Sequence, residues 1–235
     1  MKILAIIPAR GGSKGVPRKN IIDVCGKPLI YYSIEPALKA KEAGIIDEVI
    51  VSTDDEEIAD ISRRYGANVP FLRPNELSDD KAKSVDLMIH AHDFFASKGV
   101  TFDAILLLQP TSPLRTYEDI VKAVSIFKEK NAVSLISCYK ANIHEYNLYH
   151  KSENWAIGLN PKHNLGIRRQ EIEDLYVRNG AFFLVRSDYM LKEKKPFDER
   201  PAMYVMPYER SVNIDTMEDI EIARQYLKVK DKEEQ

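Results

Sequence analysis

Short, unbroken apolar runs alternating with longer stretches of helical periodicity constrain this chain more than any other feature. Ile3–Ile7, Glu48–Ser52, Ala104–Leu108 and Ala132–Ser137 have the length of strands, and a continuous apolar run requires burial on both faces. Between them, Leu29–Ala43, Glu56–Tyr65, Val85–Ser97 and Tyr117–Lys128 carry helical patterns. In the last of these, Ile120, Val124 and Phe127 recur at i, i+4 and i+7 and form one apolar face. Thr116 with Asp119 has the spacing of a capping box, and so has Thr53 with Glu56. Strand–helix alternation of this kind predicts an α/β fold with a doubly wound, mostly parallel sheet.

After Tyr139 the pattern loosens. Residues 140–178 are polar and aromatic with weak periodicity, and Gly180–Val185 and Ala202–Met206 then read as two further strands. Thr216 and Asp219 open a final helix carrying Ile220, Ala223 and Leu227. The expected organisation is one domain over 1–235 with an inserted lobe at about 140–178, and only the charged tail after Lys228 is expected to fray. A formal net charge of -2 disfavours a general nucleic-acid binder, and no apolar stretch is long enough to span a membrane. The apolar amino terminus lacks a small-residue cleavage site and runs straight into a turn, so a cytoplasmic protein is expected. Cys25 and Cys138 have no metal-ligand spacing and are expected to be buried free thiols.

The segment from Ile7 to Asn20 holds the densest chemistry. It leaves a buried strand, so it belongs at the carboxyl edge of the sheet, where open α/β folds bind ligands. Gly11, Gly12 and Gly15 allow close backbone approach, while Arg10, Lys14, Arg18 and Lys19 supply charge for a triphosphate. The spacing fits neither G-x-x-x-x-G-K-[ST] nor G-x-G-x-x-G, which argues against a P-loop or a dinucleotide site.

Four further segments stand out. Arg73-Pro74-Asn75-Glu76-Leu77 precedes Ala82 and Ser84, the latter well placed to cap the next helix. Gln109-Pro110-Thr111-Ser112-Pro113-Leu114-Arg115 exits another buried strand. Arg168-Arg169-Gln170 leads through Tyr176 and Arg178 to Asn179-Gly180-Ala181, with Phe183 on the apolar strand that follows and Arg168 and Arg178 expected on a solvated face. Asn213 and Asp215 share one side of an extended segment, and Asp219 is expected to partner Thr216 in a capping box. His90 and His92 cannot share a helix face, and no serine or cysteine occupies a nucleophile motif, so no covalent intermediate is expected.

Taken with these segments, the amino-terminal loop resembles the signature of the acylneuraminate cytidylyltransferases, the CMP-sialic acid synthetases and their relatives for Kdo, legionaminic and pseudaminic acids. The resemblance covers essentially the whole chain and implies a Rossmann-like, GT-A-like nucleotidyltransferase fold whose small lobe serves dimerisation and the sugar pocket. It implies transfer of CMP from CTP to the anomeric C2 hydroxyl of a nonulosonic acid, with release of pyrophosphate. Ala9, Arg10, Gly11, Gly12, Ser13, Lys14, Lys19 and Asn20 would hold the nucleotide with Arg73, Ala82 and Ser84. Arg10, Lys14, Lys19 and Asp215 would act in catalysis. Gln109, Arg169, Asn179 and Phe183 would hold the sugar, and Asp215 with Asn213 a Mg²⁺ ion. A homodimer is implied as well. Two departures matter: the Kdo branch has Q-G-D-E-P where this chain has Gln109-Pro110-Thr111-Ser112-Pro113, which disfavours Kdo. Position 213 is Asn where the family pattern has Asp. The competing expectations are a Kdo or sugar 1-phosphate enzyme and, outside catalysis, an inactive nucleotide-binding scaffold.

Overall fold

The computed structural model describes residues 1–13, 15–79, 81–165 and 173–233. Its central sheet has six strands, β1 (Ile3–Pro8), β4 (Glu48–Ser52), β5 (Ala104–Leu108), β6 (Ser134–Lys140), β9 (Tyr176–Arg186) and β10 (Ala202–Val205), ordered β10-β6-β9-β5-β1-β4. β1 pairs in parallel with β4 and β5, β10 pairs in parallel with β6, and β9 runs antiparallel between β5 and β6. The sheet is therefore mostly parallel.

The double winding follows from alternation along β1. Ile3, Ala5 and Ile7 enter a core shared with α1 (Tyr31–Glu42), α2 (Glu56–Arg64) and α4 (Tyr117–Glu129), through Ile34, Ala37, Ile58, Val124 and Phe127. Leu4 and Ile6 point the other way, into a core with α3 (Ser84–Ala96) and α5 (Ser187–Glu193) through Val85, Met88, Ala91 and Met190. A third apolar cluster packs α6 (Met217–Glu233) through Ile220, Ala223 and Leu227 against Val16, Val24 and Leu29. Val24 belongs to the short β2 (Asp23–Val24), which pairs antiparallel with β3 (Lys27–Pro28).

Several boundaries differ from expectation for local reasons. β6 begins at Ser134, because the Ala132 N–H still bonds the Phe127 carbonyl in the turn that ends α4, where Asn131 has φ 45°. β9 begins at Tyr176, because its first residues pair with Cys138–Lys140 beyond a register shift in β6. α2 is capped by Asp55 and not by Thr53; the Asp55 carboxylate accepts from Ile58 N, while Thr53 Oγ1 accepts from Asp55 N. The Thr116–Asp119 capping box is present, and so are both bonds between Thr216 and Asp219. Between β6 and β9, β7 (Tyr149–Ser152) and β8 (Trp155–Gly158) form an exposed antiparallel hairpin. Cys138 is buried and Cys25 only partly so; both are thiols outside any disulfide. Among the described residues no helix is long and apolar enough to cross a membrane.

Candidate active site

The chain leaves β1 between its two parallel neighbours, and their connections depart on opposite faces of the sheet. A crevice must open there, at the carboxyl ends of the strands. It is a cavity of about 540 Å³ that gathers Arg10, Ser13, Gly15, Lys19 and Asn20 from the first loop, Arg73, Ala82 and Ser84 from the approach to α3, and Gln109 and Asp215. Residues far apart in sequence thus share one site.

The first loop is held from below by carboxylates. Gly11 N donates to Asp54 Oδ1 at 3.0 Å, so this N–H is committed within the protein and not aimed at an anion. Arg18, expected to neutralise phosphate, instead pairs with Asp55 and Glu57. The Arg18 hydrogen bond holds the Asp55 carboxyl below its ordinary range, against the opposing effect of burial. Asn20 is buried and donates to the Arg10 carbonyl at 2.9 Å, pinning the loop to its own far end. Ala9 is fully buried, and its N–H bonds Ser52 O. Ala9, Gly11 and Gly12 therefore shape the loop from outside the cavity wall. Lys14 and Arg169 lie outside the described residues.

At the opposite wall Arg73 is 4% exposed, with Nε donating to Ser78 Oγ at 2.9 Å and Asp54 at 3.7 Å. Burial lowers its pKa, Asp54 opposes that, and the Arg10 charge adds to it. Such a cation has few protein partners for its charge and favours a polar or anionic neighbour. Ser84 is not the cap of α3: Lys83 holds that position without a side-chain bond, and Ser84 lines the cavity as the first helical residue. Leu77, the last residue of the Arg73–Leu77 segment, completes this wall with Ser78, Asp79 and Leu87, which no spacing rule marked in the sequence.

The carboxylate side is built from the segment before α6. Lys19 Nζ donates to the Ile214 carbonyl at 2.8 Å and lies 3.3 Å from Asp215 Oδ1. Asn213 Nδ2 donates to Asp215 Oδ2 at 2.7 Å, so this amide presents a donor to the carboxylate. Asp219 accepts from the N–H groups of Asp215 and Thr216; burial raises its pKa, but these bonds outweigh it and the net shift is downward. A Cβ on Gly15 would run into the Asp215 carbonyl, so only glycine lets the loop lie this close. Among the described residues no three His, Cys, Asp or Glu side chains gather to hold a metal. His90 packs edge-on against Phe71, and His92 is buried beside Asp93.

A second cavity, of about 410 Å³, adjoins the first and shares Gln109 with it. It is lined by Asn179 and Phe183, as well as Tyr139, Arg178, Ser211 and Asn213. The polar atoms of Asn179 are engaged internally, Nδ2 with Ser211 Oγ at 2.9 Å and Oδ1 with Ala181 N at 3.2 Å, so it shapes the wall. Phe183 is buried and stacks on Phe197 with ring centroids 5.8 Å apart. Arg178, expected on a solvated face, lies over both rings, 5.6 and 5.0 Å from their centroids. That places a cation at the cavity wall. Phe183 of the apolar strand that follows was legible in the sequence, but Phe197 comes from the connection between α5 and β10.

The cytidylyltransferase family model matches residues 4–234. The chain is 37% identical to the pseudaminic acid cytidylyltransferase of Campylobacter jejuni over 97% of both chains. It is 32% identical to the CMP-N,N'-diacetyllegionaminic acid synthase of Legionella pneumophila, again over 97% of each. Its 36% identity to the N-acylneuraminate cytidylyltransferase of Streptococcus agalactiae covers 93% of this chain but 52% of that protein. In fold it is similar to a CMP:2-keto-3-deoxy-manno-octonic acid synthetase solved with CTP (TM-score 0.72, 18% identity, 98% of this chain and 100% of that one). It also resembles the 4-diphosphocytidyl-2C-methyl-D-erythritol synthase of Anaerococcus prevotii (TM-score 0.60, 19% identity, 97% and 98%). With the family model spanning residues 4–234 and relatives of matching length 37% and 32% identical, the protein belongs to the cytidylyltransferase family.

Proposed function

We propose that the protein transfers CMP from CTP to the C2 hydroxyl of a nonulosonic acid of the pseudaminic or legionaminic type. The observation that carries this reading is the pair of adjoining cavities meeting at Gln109, one rimmed by Arg10, Lys19 and Arg73, the other lined by Tyr139, Phe183 and Arg178. Relatives of matching length act, by their names, on pseudaminic and diacetyllegionaminic acids, whereas the similar N-acylneuraminate enzyme is about twice as long.

In this reading the triphosphate lies along the first loop, where Arg10, Ser13, Lys14 and Lys19 offset its charge, and the cytosine lies between Arg73, Ala82 and Ser84. The sugar occupies the second cavity, Gln109 hydrogen-bonding it and Arg169 holding its carboxylate through a planar fork. The C2 oxygen attacks the α-phosphorus, the bond to the bridging oxygen breaks, and pyrophosphate departs. Such chemistry depends on positioning and charge neutralisation rather than a protein nucleophile. Mg²⁺ suits the site, since this ion commonly takes one or two carboxylates and completes its shell with phosphate oxygens and water. Two carboxylates line the cavity: Asp79 accepts from the Lys81 and Ala82 N–H groups, and Asp215, its side chain 68% exposed, is the one beside Lys19 and the first loop. When bound, the ion would supply charge for the phosphates and acidify the attacking hydroxyl. Asn213 serves here by holding Asp215 and is a ligand only through its other amide atom.

A homodimer in the cytoplasm completes the proposal. The lobe exposes Tyr149, Trp155, Ile157 and Leu159 on its hairpin and the turn after it, with Trp155 76% exposed, and a second copy would cover these residues. The experiment for the reaction is CMP-sugar formation from CTP and Mg²⁺ with pseudaminic, diacetyllegionaminic and N-acetylneuraminic acids in parallel. The highest kcat/KM is expected with one of the first two, and preference for N-acetylneuraminic acid would contradict the acceptor assignment.

A further inference from the structure

Arg115 is the most deeply buried cation among the described residues whose role the reaction leaves open. It is 2% exposed, and no carboxylate hydrogen-bonds it. NH1 donates to two backbone carbonyls, Gln109 at 3.3 Å and Ala181 at 2.5 Å, and NH2 donates to Ser33 Oγ at 2.5 Å. Ser33 Oγ in turn donates to the Gln109 carbonyl at 3.4 Å. One guanidinium thus ties together three pieces of chain: the loop after β5, the middle of β9 and the first turn of α1.

The position of those pieces gives the contact its meaning. Gln109 is the residue common to both cavities. Its side chain lies over Gly180, where φ is +74° and favours glycine, and where an added Cβ would press on Oε1 at 3.3 Å. Thr111 Oγ1 stands 3.5 Å from the same Oε1. Gly180 immediately precedes Ala181, whose carbonyl Arg115 holds. The guanidinium therefore fixes both the backbone that carries the Gln109 side chain and the strand against which that side chain lies. A planar fork can span these acceptors, while a lysine ammonium cannot reach all three at once.

We propose that Arg115 is a positioning residue for the sugar acceptor, acting through Gln109 by locking the Gln109 and Ala181 carbonyls to one guanidinium. This rests on the assignment of Gln109 to the sugar. It assigns a task to the last residue of the Gln109–Arg115 segment, which never reaches the substrate.

The test is a double-mutant cycle read in steady-state kinetics with CTP and pseudaminic acid, thermal midpoints being recorded alongside. Arg115→Met and Arg115→Lys should each raise KM for the sugar about tenfold, the scale of one hydrogen bond's misplacement, while KM for CTP stays within about twofold. In the Gln109→Ala background, Arg115→Met should add nothing further to the sugar KM. Ser33→Ala removes the acceptor of NH2 while NH1 keeps both carbonyls, and should raise the sugar KM in the same direction, again only when Gln109 is present. Multiplicative effects in the double variant, or equal rises in both KM values, would overturn the proposal while leaving Gln109 a sugar ligand. An unchanged sugar KM in Gln109→Ala would instead overturn the assignment of Gln109 itself, and the role of Arg115 with it. An unchanged sugar KM in Ser33→Ala would count against the clamp even if the Arg115 variants fail to fold.

Discussion

Asp215 brings a negative charge to the cavity from the segment before α6, held by Asn213 Nδ2 and near Lys19 Nζ. Asp215→Asn keeps size and removes that charge, so kcat should fall about a hundredfold, as when a group stabilising transition-state charge is lost. The thermal midpoint should barely move, since the side chain is exposed; normal turnover with an unchanged Mg²⁺ midpoint would refute the role. Asn213→Asp sets two carboxylates side by side in place of a 2.7 Å hydrogen bond, an arrangement that favours a cation between them. Its Mg²⁺ titration should reach half-maximal rate at lower concentration. Lys14→Ala should nearly abolish turnover while the far-ultraviolet spectrum stays native. At this scale the sequence was informative wherever a residue's chemistry is its own: Arg10, Lys19, Arg73, Gln109 and Asp215 meet in one cavity. It was uninformative wherever a partner decides. Arg18 and Gly11 looked like anion ligands until Asp55 and Asp54 came against them, and Arg178 looked solvated until two phenylalanine rings came beneath it.

At the level of elements, α2 doubles as an anchor for the first loop. Asp55 caps the helix through Ile58 N and holds Arg18, and a Cβ on Gly11 would come within 2.6 Å of its carboxylate. Because the folded pKa of Asp55 is depressed, its contribution is fully present above the unfolded value of about 3.9 and is lost as pH falls through the lower folded value. Asp55→Ala should cost about 1 kcal/mol at neutral pH from the cap alone. The gap between variant and parent in thermal midpoint should close as pH falls from about 5 toward 2; a gap constant across that range would show that ionisation of Asp55 contributes nothing. A second anchor joins α4 to the segment carrying Asp215. Buried Asp119 accepts from Tyr204 OH at 2.7 Å and pairs with Arg210, five residues before Asp215. Asp119→Ala removes a helix cap and the partner of a half-buried arginine, and a loss of about 3 kcal/mol in chemical denaturation is expected. The helices were readable because their period is local, and so were the Thr116–Asp119 and Thr216–Asp219 boxes; Ser84, expected to cap α3, is its first helical residue instead. The Thr53 assignment failed because Asp55, two residues on, has the side chain that reaches Ile58 N, while Thr53 bonds Asp55 N instead.

For the molecule as a whole, the alternation of strands and helices predicts a doubly wound sheet, and alternate residues of β1 indeed enter opposite cores. What alternation cannot encode is insertion. β9 comes from late in the chain yet lies antiparallel between β5 and β6, and the sequence marks it only as another apolar run. That insertion brings Asn179, Gly180 and Phe183 beside Gln109 and creates the second cavity. The lobe between β6 and β9 carries exposed Trp155 and Ile157 on a two-stranded hairpin, which is marginal in isolation. Light scattering at micromolar concentration should give a dimer mass, and Trp155→Asp should shift it toward monomer. A monomer in the parent protein would refute the assembly. The reaction of the whole molecule is cytidylyl transfer to a nonulosonic acid. It is tested most directly by following pyrophosphate release from CTP and Mg²⁺ with and without pseudaminic or diacetyllegionaminic acid. Release that depends on the sugar and is matched by one CMP-sugar per pyrophosphate is the expected result; no sugar-dependent release, or release without a CMP-sugar product, would contradict it.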